Sequence, residues 1–330
     1  MKARAVRFLA PRQVSVEDVE LAEPRPGQIV VRTEYSGISG GSEMLAYRGE
    51  IDPSLPLDET LGSLGGTFGF PFSYGYSCVG VVERSGGSIP EGERVFAFHP
   101  HQDRIVVDES DTIALGAVDP RLATLFPLVE TALQVSLDTE TAFGDGVVVL
   151  GLGAVGMLSA ILIERSGASV LGADPDPSRR EAAAAAGVTA VAPEDLSDDV
   201  RRVTDGRAAG LVVDASGNPE ALAGGLKLLA HEGTALVCSW YGTKPVPLPL
   251  GAEFHRRRLT IRSTQVSTIP ARLAGRWTRE RRRVVTRELL EELPLKPLAT
   301  HEFSFEEAAA AYAAIDGGLP GLVHVALRYG

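Results

Sequence analysis

Residues 147–156 read Val-Val-Val-Leu-Gly-Leu-Gly-Ala-Val-Gly, an apolar run that ends in G-x-G-x-x-G. Consecutive apolar residues suit a strand buried on both faces, as in a parallel sheet. No charge appears before Ile163, so a buried helix is expected directly after the turn. Each glycine then has its own task. Gly151 makes the tight turn, Gly153 lets the backbone approach a pyrophosphate, and Gly156 permits close helix–strand packing. The N–H groups of Ala154 and Val155, at the positive end of the helix dipole, face the phosphates. Asp174 lies at the end of the next expected strand, where its carboxylate accepts the ribose hydroxyls of NAD and repels the extra phosphate of NADP. Arg179 is placed to pack over the adenosine. The charge-free stretch is about 17 residues long, short of the roughly 20 that a spanning helix needs, and no membrane segment is expected.

The same alternation extends outward from this turn. Strands are expected at Val147–Gly151, Ser169–Asp174, Gly210–Ala215, Thr234–Ser239 and Leu259–Thr264, and helices at Ala154–Ser166, Ser178–Ala186 and Pro219–Ala230. This is the βαβ rhythm of a doubly wound parallel sheet. Residues 1–125 are different: short runs rich in Val and Ile (Ala3–Phe8, Val14–Glu20, Gln28–Ser36, Cys78–Ser85, Arg104–Val107) alternate with Gly and Pro turns. That density of turns suits a small distorted barrel, with a long Gly-rich loop from Gly37 to Tyr76. A helix at Phe305–Ile315 and a strand at Leu322–Leu327 close the chain. The expected division is 1–125, a Rossmann domain at 126–265, and a return segment at 266–330 that completes the first domain.

Composition narrows the function classes. The 330 residues are 44% hydrophobic and 23% charged, ordinary for a globular protein. Two cysteines, Cys78 and Cys238, support neither a disulfide framework nor a four-thiolate zinc lobe, and a reduced, cytoplasmic setting is expected. A net charge of −11 argues against a general nucleic-acid binder. Against that background, Arg256–Arg287 holds eleven arginines and one acidic residue, Glu280. A solvated helix at Arg276–Leu293 and steering of an anionic substrate are both open readings.

The order of barrel, Rossmann unit and return segment resembles the medium-chain dehydrogenase/reductase family. The resemblance rests on Gly37-Ile38-Ser39-Gly40-Gly41-Ser42-Glu43, Gly75-Tyr76-Ser77-Cys78-Val79-Gly80-Val81-Val82, Gly92-Glu93-Arg94-Val95, Thr131-Ala132-Leu133-Gln134, the glycine turn and Asp214-Ala215-Ser216-Gly217. It implies a GroES-like barrel, a homodimer, a small-molecule substrate, and Thr131 and Ser216 beside the bound cofactor. The family's zinc branch departs from this chain at every ligand. Its cysteine falls on Ser39, its His-Glu pair on Tyr76-Ser77, and its third ligand at Phe126-Pro127. These are not zinc donors, so no metal is expected. The pattern is most similar to the zinc-lacking branch that contains bacteriochlorophyllide dehydrogenase.

Without zinc, another group must serve the substrate oxygen. Tyr76 occupies a ligand position, and its hydroxyl is expected to point into the former metal site. Ser42 matches the family's Ser/Thr that hydrogen-bonds substrate and nicotinamide ribose. Glu43 is a general base or an orienting carboxylate. His99 and His101, in the segment that replaces the metal lobe, have an unperturbed pKa suited to acid–base work. Glu130 either reaches the cleft or caps a helix. The expected reaction is zinc-independent hydride transfer between NAD(H) and a secondary alcohol or ketone. An ene-reductase and a non-catalytic NAD-binding sensor or scaffold are the alternatives.

Overall fold

The computed structural model describes residues 1–204 and 206–330. The chain forms two units, residues 1–127 with 283–330, and residues 128–282. In the second unit six parallel strands run in the spatial order 190–191, 169–173, 146–150, 209–214, 229–237, 260–263. Numbered along the chain this is 3-2-1-4-5-6, the Rossmann arrangement. Its switch point lies between Gly146–Leu150 and Ala209–Asp214, which pair directly. The strand 146–150 is buried from Val147 onward, as its unbroken apolar run requires. Helix Ala154–Arg165 packs behind it. Val148, Leu150, Leu171, Val212 and Ala235 join one core under the sheet.

The first unit is a mixed seven-stranded sheet around Gln28–Ile38. Along one edge this strand pairs with Arg104–Asp108 and then with Val325–Arg328; along the other it pairs with Cys78–Ser85. One long strand with three neighbours bends the sheet into a distorted barrel. Lys2–Ala10 and Gln13–Glu20 form a separate hairpin, tied to the barrel by bridges from Ala5 to Gln102 and from Phe8 to Phe72. An aromatic core fills the interior: Phe8 stacks on Phe72 at 5.1 Å, and Tyr312 meets Phe8 edge-on at 5.3 Å.

Several boundaries differ from the sequence reading. The Gly-rich loop contains a helix, Ser42–Arg48, with five consecutive buried residues from Glu43 to Tyr47. A helix buried on all sides has no amphipathic period to betray it. Helix Leu196–Val203 was also not anticipated; it buries only Leu196 and Val200. The return to the first unit comes at residue 283, not 266. The intervening segment is fastened within the second unit. Arg272 donates to the carbonyls of Leu137 and Thr139, and Arg282 donates to Glu130 at 3.1 Å and to Gln134 at 2.5 Å. The long helix runs Arg279–Glu292.

Candidate active site

The three glycines of the turn in the second unit stand in different surroundings. Gly151 has φ +88, and a Cβ there would lie 2.6 Å from Ser216 Cα. Around Gly153 nothing stands within 4 Å of a would-be Cβ, leaving its backbone open to a ligand. At Gly156 a Cβ would lie 1.9 Å from the carbonyl oxygen of Gly151, so only glycine lets the helix start so close to the strand. No side chain caps this helix at Gly153. Asp174 is 2% exposed. Its Oδ2 accepts from Leu152 N at 2.8 Å and its Oδ1 from Asp176 N at 2.9 Å. The carboxylate is thereby fixed on the turn, and each oxygen keeps a second lone pair for a hydroxyl. Arg179 lies along it, with Nη1 3.7 Å from Asp174 Oδ2 and Nε 3.8 Å from Asp176 Oδ2.

Across the switch point, Asp214 is wholly buried and organises a second turn. It accepts from Ser216 Oγ at 2.6 Å and from Tyr241 OH at 2.5 Å. Ser239 Oγ accepts from Gly217 N at 2.9 Å. Ser216 is therefore held by Asp214, while Thr131 is half-buried on helix Phe126–Asp138. Tyr241 and Ser239 were not anticipated, because a lone tyrosine after a strand has no sequence signature.

In the first unit the structure brings two of the expected residues together. Ser42 Oγ and Tyr76 OH are 2.7 Å apart, both half-buried. Ser42 Oγ also lies 3.4 Å from Ser39 Oγ. Burial, with Glu43 nearby, pushes the Tyr76 phenol up to about 12. It therefore keeps its proton at neutral pH.

The other three candidates do not face this pair as acids or bases. Glu43 and His101 are both 0% exposed and bonded to each other, His101 Nε2 to Glu43 Oε2 at 2.8 Å. Glu43 Oε1 accepts from Ser39 N at 2.8 Å, and Glu43 Oε2 also accepts from Tyr312 OH at 2.5 Å. His101 Nδ1 meets Ser36 Oγ at 2.7 Å, which meets Tyr329 OH at 2.9 Å. The expectation of acid–base work at His101 is corrected accordingly, since its ring has no surface to offer; of the two roles open for Glu43, the orienting carboxylate fits this burial and the general base does not. His99 turns its Nδ1 toward Pro100 O at 3.0 Å, and burial pulls its pKa down to about 4, too low for proton donation at neutral pH. Glu130 is buried and paired with Arg282 at 3.1 Å.

The low pKa of His99 has a consequence for stability. Burial holds His324 similarly, at about 3. Unfolded, both titrate near 6.5. The unfolded chain therefore binds more protons once pH drops below about 6.5, and stability falls from there toward about pH 4. The melting temperature should decline on acidification through this window, with a shallower slope in His99→Asn; an unchanged slope would detach His99 from the effect.

The arginine-rich segment is largely committed to internal bonds. Arg257 donates to Lys227 O and Leu229 O, Arg258 pairs with Glu232 at 3.2 Å, and Arg262 with Glu140 at 3.0 Å. Arg281 stacks over Trp277 at 4.6 Å. With Arg272 and Arg282 also engaged, the segment gives little support to steering of an anionic substrate.

The chain thus combines a parallel-sheet unit of Rossmann order with a barrel unit that carries a half-buried hydroxyl pair. Residues 154–279 match the family model described as zinc-binding dehydrogenase. Over 95% of this chain and 94% of the relative, the sequence is 28% identical to 2-desacetyl-2-hydroxyethyl bacteriochlorophyllide A dehydrogenase of Cereibacter sphaeroides. It is 25% identical to D-guloside 3-dehydrogenase of Escherichia coli, over 85% of this chain and 86% of that one. An alcohol dehydrogenase structure from E. coli CFT073, complexed with NADH, has the same fold at TM-score 0.77, with 19% identity over 99% of both chains. Over most of its length the chain is thus similar to alcohol dehydrogenase-like medium-chain dehydrogenases, and these matches support a dehydrogenase.

The zinc in the family model's description meets the wrong donors here. Zinc takes thiolate, imidazole or carboxylate. Ser39 and Tyr76 offer hydroxyls, Ser77 Oγ already donates to Thr124 O at 2.7 Å, and Phe126 is stacked on Phe96 at 4.5 Å. The nearby Cys78 thiol is buried, bonded to the carbonyls of His99 and Pro100, and pushed up to about 12. Among the described residues no three His, Cys, Asp or Glu side chains gather as a metal site. This donor set does not fit zinc.

Proposed function

We propose that this protein is a zinc-independent, NAD(H)-linked dehydrogenase that interconverts a secondary alcohol and a ketone. The 2.7 Å contact between Ser42 and Tyr76 carries the reading, because it joins the hydroxyl at the family's substrate-bonding position to one that stands where the zinc branch has a ligand. When bound, a nicotinamide takes up or supplies the hydride. The chain's own residues do the rest. The glycine turn, the uncapped helix and Asp174 fit the pyrophosphate and ribose of a dinucleotide. As charge develops on the substrate oxygen, Tyr76 and Ser42 donate to it from a partly desolvated position. Tyr76 and Ser42 both hold their protons throughout and act on the substrate oxygen through hydrogen bonds. The relatives' names specify a hydroxyethyl group and a guloside 3-position, which is in keeping with an alcohol substrate. A homodimer acting on a small molecule completes the reading.

The test is a panel of secondary alcohols read by NADH absorbance, with products weighed by mass spectrometry. Turnover to ketones supports the proposal. Reduction of activated alkenes alone would make the protein an ene-reductase, and tight NAD binding with no turnover on any compound would make it a sensor. Asp174 sets a second expectation. Bringing a 2′-phosphate against its fixed carboxylate costs several kcal/mol, so NAD should bind more than about tenfold tighter than NADP. Equal affinities in a titration would remove Asp174 from the selectivity argument.

A further inference from the structure

We propose that His101 is a positioning residue that sets the spacing of the Ser42–Tyr76 hydroxyl pair by clamping together the two segments that carry them. The inference rests on the reading of that pair as the donor set. The clamp has two arms. Through Nε2, His101 holds Glu43, the neighbour of Ser42, and the other oxygen of Glu43 holds the backbone of Ser39. The turn into helix Ser42–Arg48 is thus pinned from inside, where no side chain caps it at Gly41. The second arm is steric. A Cβ on Gly75, the neighbour of Tyr76, would lie 2.6 Å from both Cδ2 and Nε2 of the ring. At φ +110, Gly75 lets the backbone before Tyr76 close directly onto the imidazole.

The orientation of the ring is fixed on every side. Ser36 engages Nδ1, Tyr329 engages Ser36, and Tyr312 shares the Glu43 oxygen that binds Nε2. Tyr312 also stands edge-on to the imidazole, with centroids 6.4 Å apart. A purely apolar filler at this position would leave a buried carboxylate without its main partner, a costly arrangement. A planar group with a hydrogen-bonding atom at each end serves both arms. None of these bonds continues to the hydroxyl of Ser42 or Tyr76, so the network orients the pair without delivering protons to it.

The test compares His101→Leu with His101→Gln, which keeps a donor for Glu43. The first readout is the ζ-carbon NMR resonance of isotope-labelled tyrosine, with the Tyr76 signal identified by its loss in Tyr76→Phe. His101→Leu should move the Tyr76 signal toward that of free tyrosine and leave Tyr35 in place; His101→Gln should return it. The second readout uses the alcohol that the substrate panel identifies: kcat falls about a hundredfold in His101→Leu with KM nearly unchanged, and recovers in His101→Gln. If His101→Leu does not fold, Tyr312→Phe, which keeps the ring and removes one donor to Glu43, is read in the same way. An unmoved Tyr76 signal in a folded variant would overturn the clamp. Wild-type turnover in Tyr76→Phe would instead overturn the functional reading, even with the NMR result in place.

Discussion

Tyr76→Phe should lower kcat about a hundredfold or more, while NAD affinity and folding stay close to wild type. Hydride arriving at a ketone carbon leaves negative charge on the oxygen, and that charge needs donors held ready at hydrogen-bond distance. Removing one donor from such a set typically costs on the order of 2.7–4 kcal/mol in the barrier. Phenylalanine keeps the ring in its place against the aromatic core, where Tyr74 meets Tyr76 edge-on at 6.0 Å. Only the hydroxyl that contacts Ser42 is lost. Steady-state kinetics with a responsive alcohol, beside a fluorescence titration of NADH, checks both halves. A kcat equal to wild type would reduce Tyr76 to a plug in the vacated metal position.

Gly156→Ala should destabilise the second unit by about 3 kcal/mol and weaken NAD binding at least about tenfold. A methyl group 1.9 Å from the Gly151 carbonyl forces the helix and the turn apart. The turn is the surface on which Asp174 and the backbone amides converge, so stability and affinity should fall together. Gly153→Ala provides the contrast. Its Cβ meets nothing within 4 Å, so folding should hold while nucleotide affinity drops. Thermal denaturation and cofactor titration on both variants separate packing from ligand approach. Equal affinity in Gly153→Ala and wild type would mean that the nucleotide does not pass over Gly153.

The nucleotide half was legible because its information is local. A buried strand, a turn that tolerates only glycine at Gly151 and Gly156, and an acid at the next strand end all fall within one short stretch. The pairing of Ser42 with Tyr76 was reachable through the family positions that they occupy, a substrate-bonding hydroxyl for Ser42 and a metal ligand for Tyr76. The environment of Glu43 and His101 was not. Tyr312 joins Glu43 from 269 residues away, and Ser36 and Tyr329 reach His101 through the barrel, so no spacing along the chain records the cluster. Residue type alone suggested acid–base chemistry at His101, and burial redirected it; for Glu43 burial chose the orienting role over the general base. Helix Ser42–Arg48 was hidden by the same burial that makes it useful. In the segment from Arg256 to Arg287, charge counting showed an excess of arginine but not the carbonyls and acids that several of these side chains engage.

The central claim is that a hydroxyl pair performs here what zinc performs in the metal-bearing branch. The measurement that bears on it most directly is turnover of a secondary alcohol with NAD before and after exhaustive chelation, with zinc per chain determined by elemental analysis of the same samples. The account predicts far less than one zinc per chain and an unchanged rate in chelator. One zinc per chain, lost together with activity and restored with it on adding zinc, would contradict it.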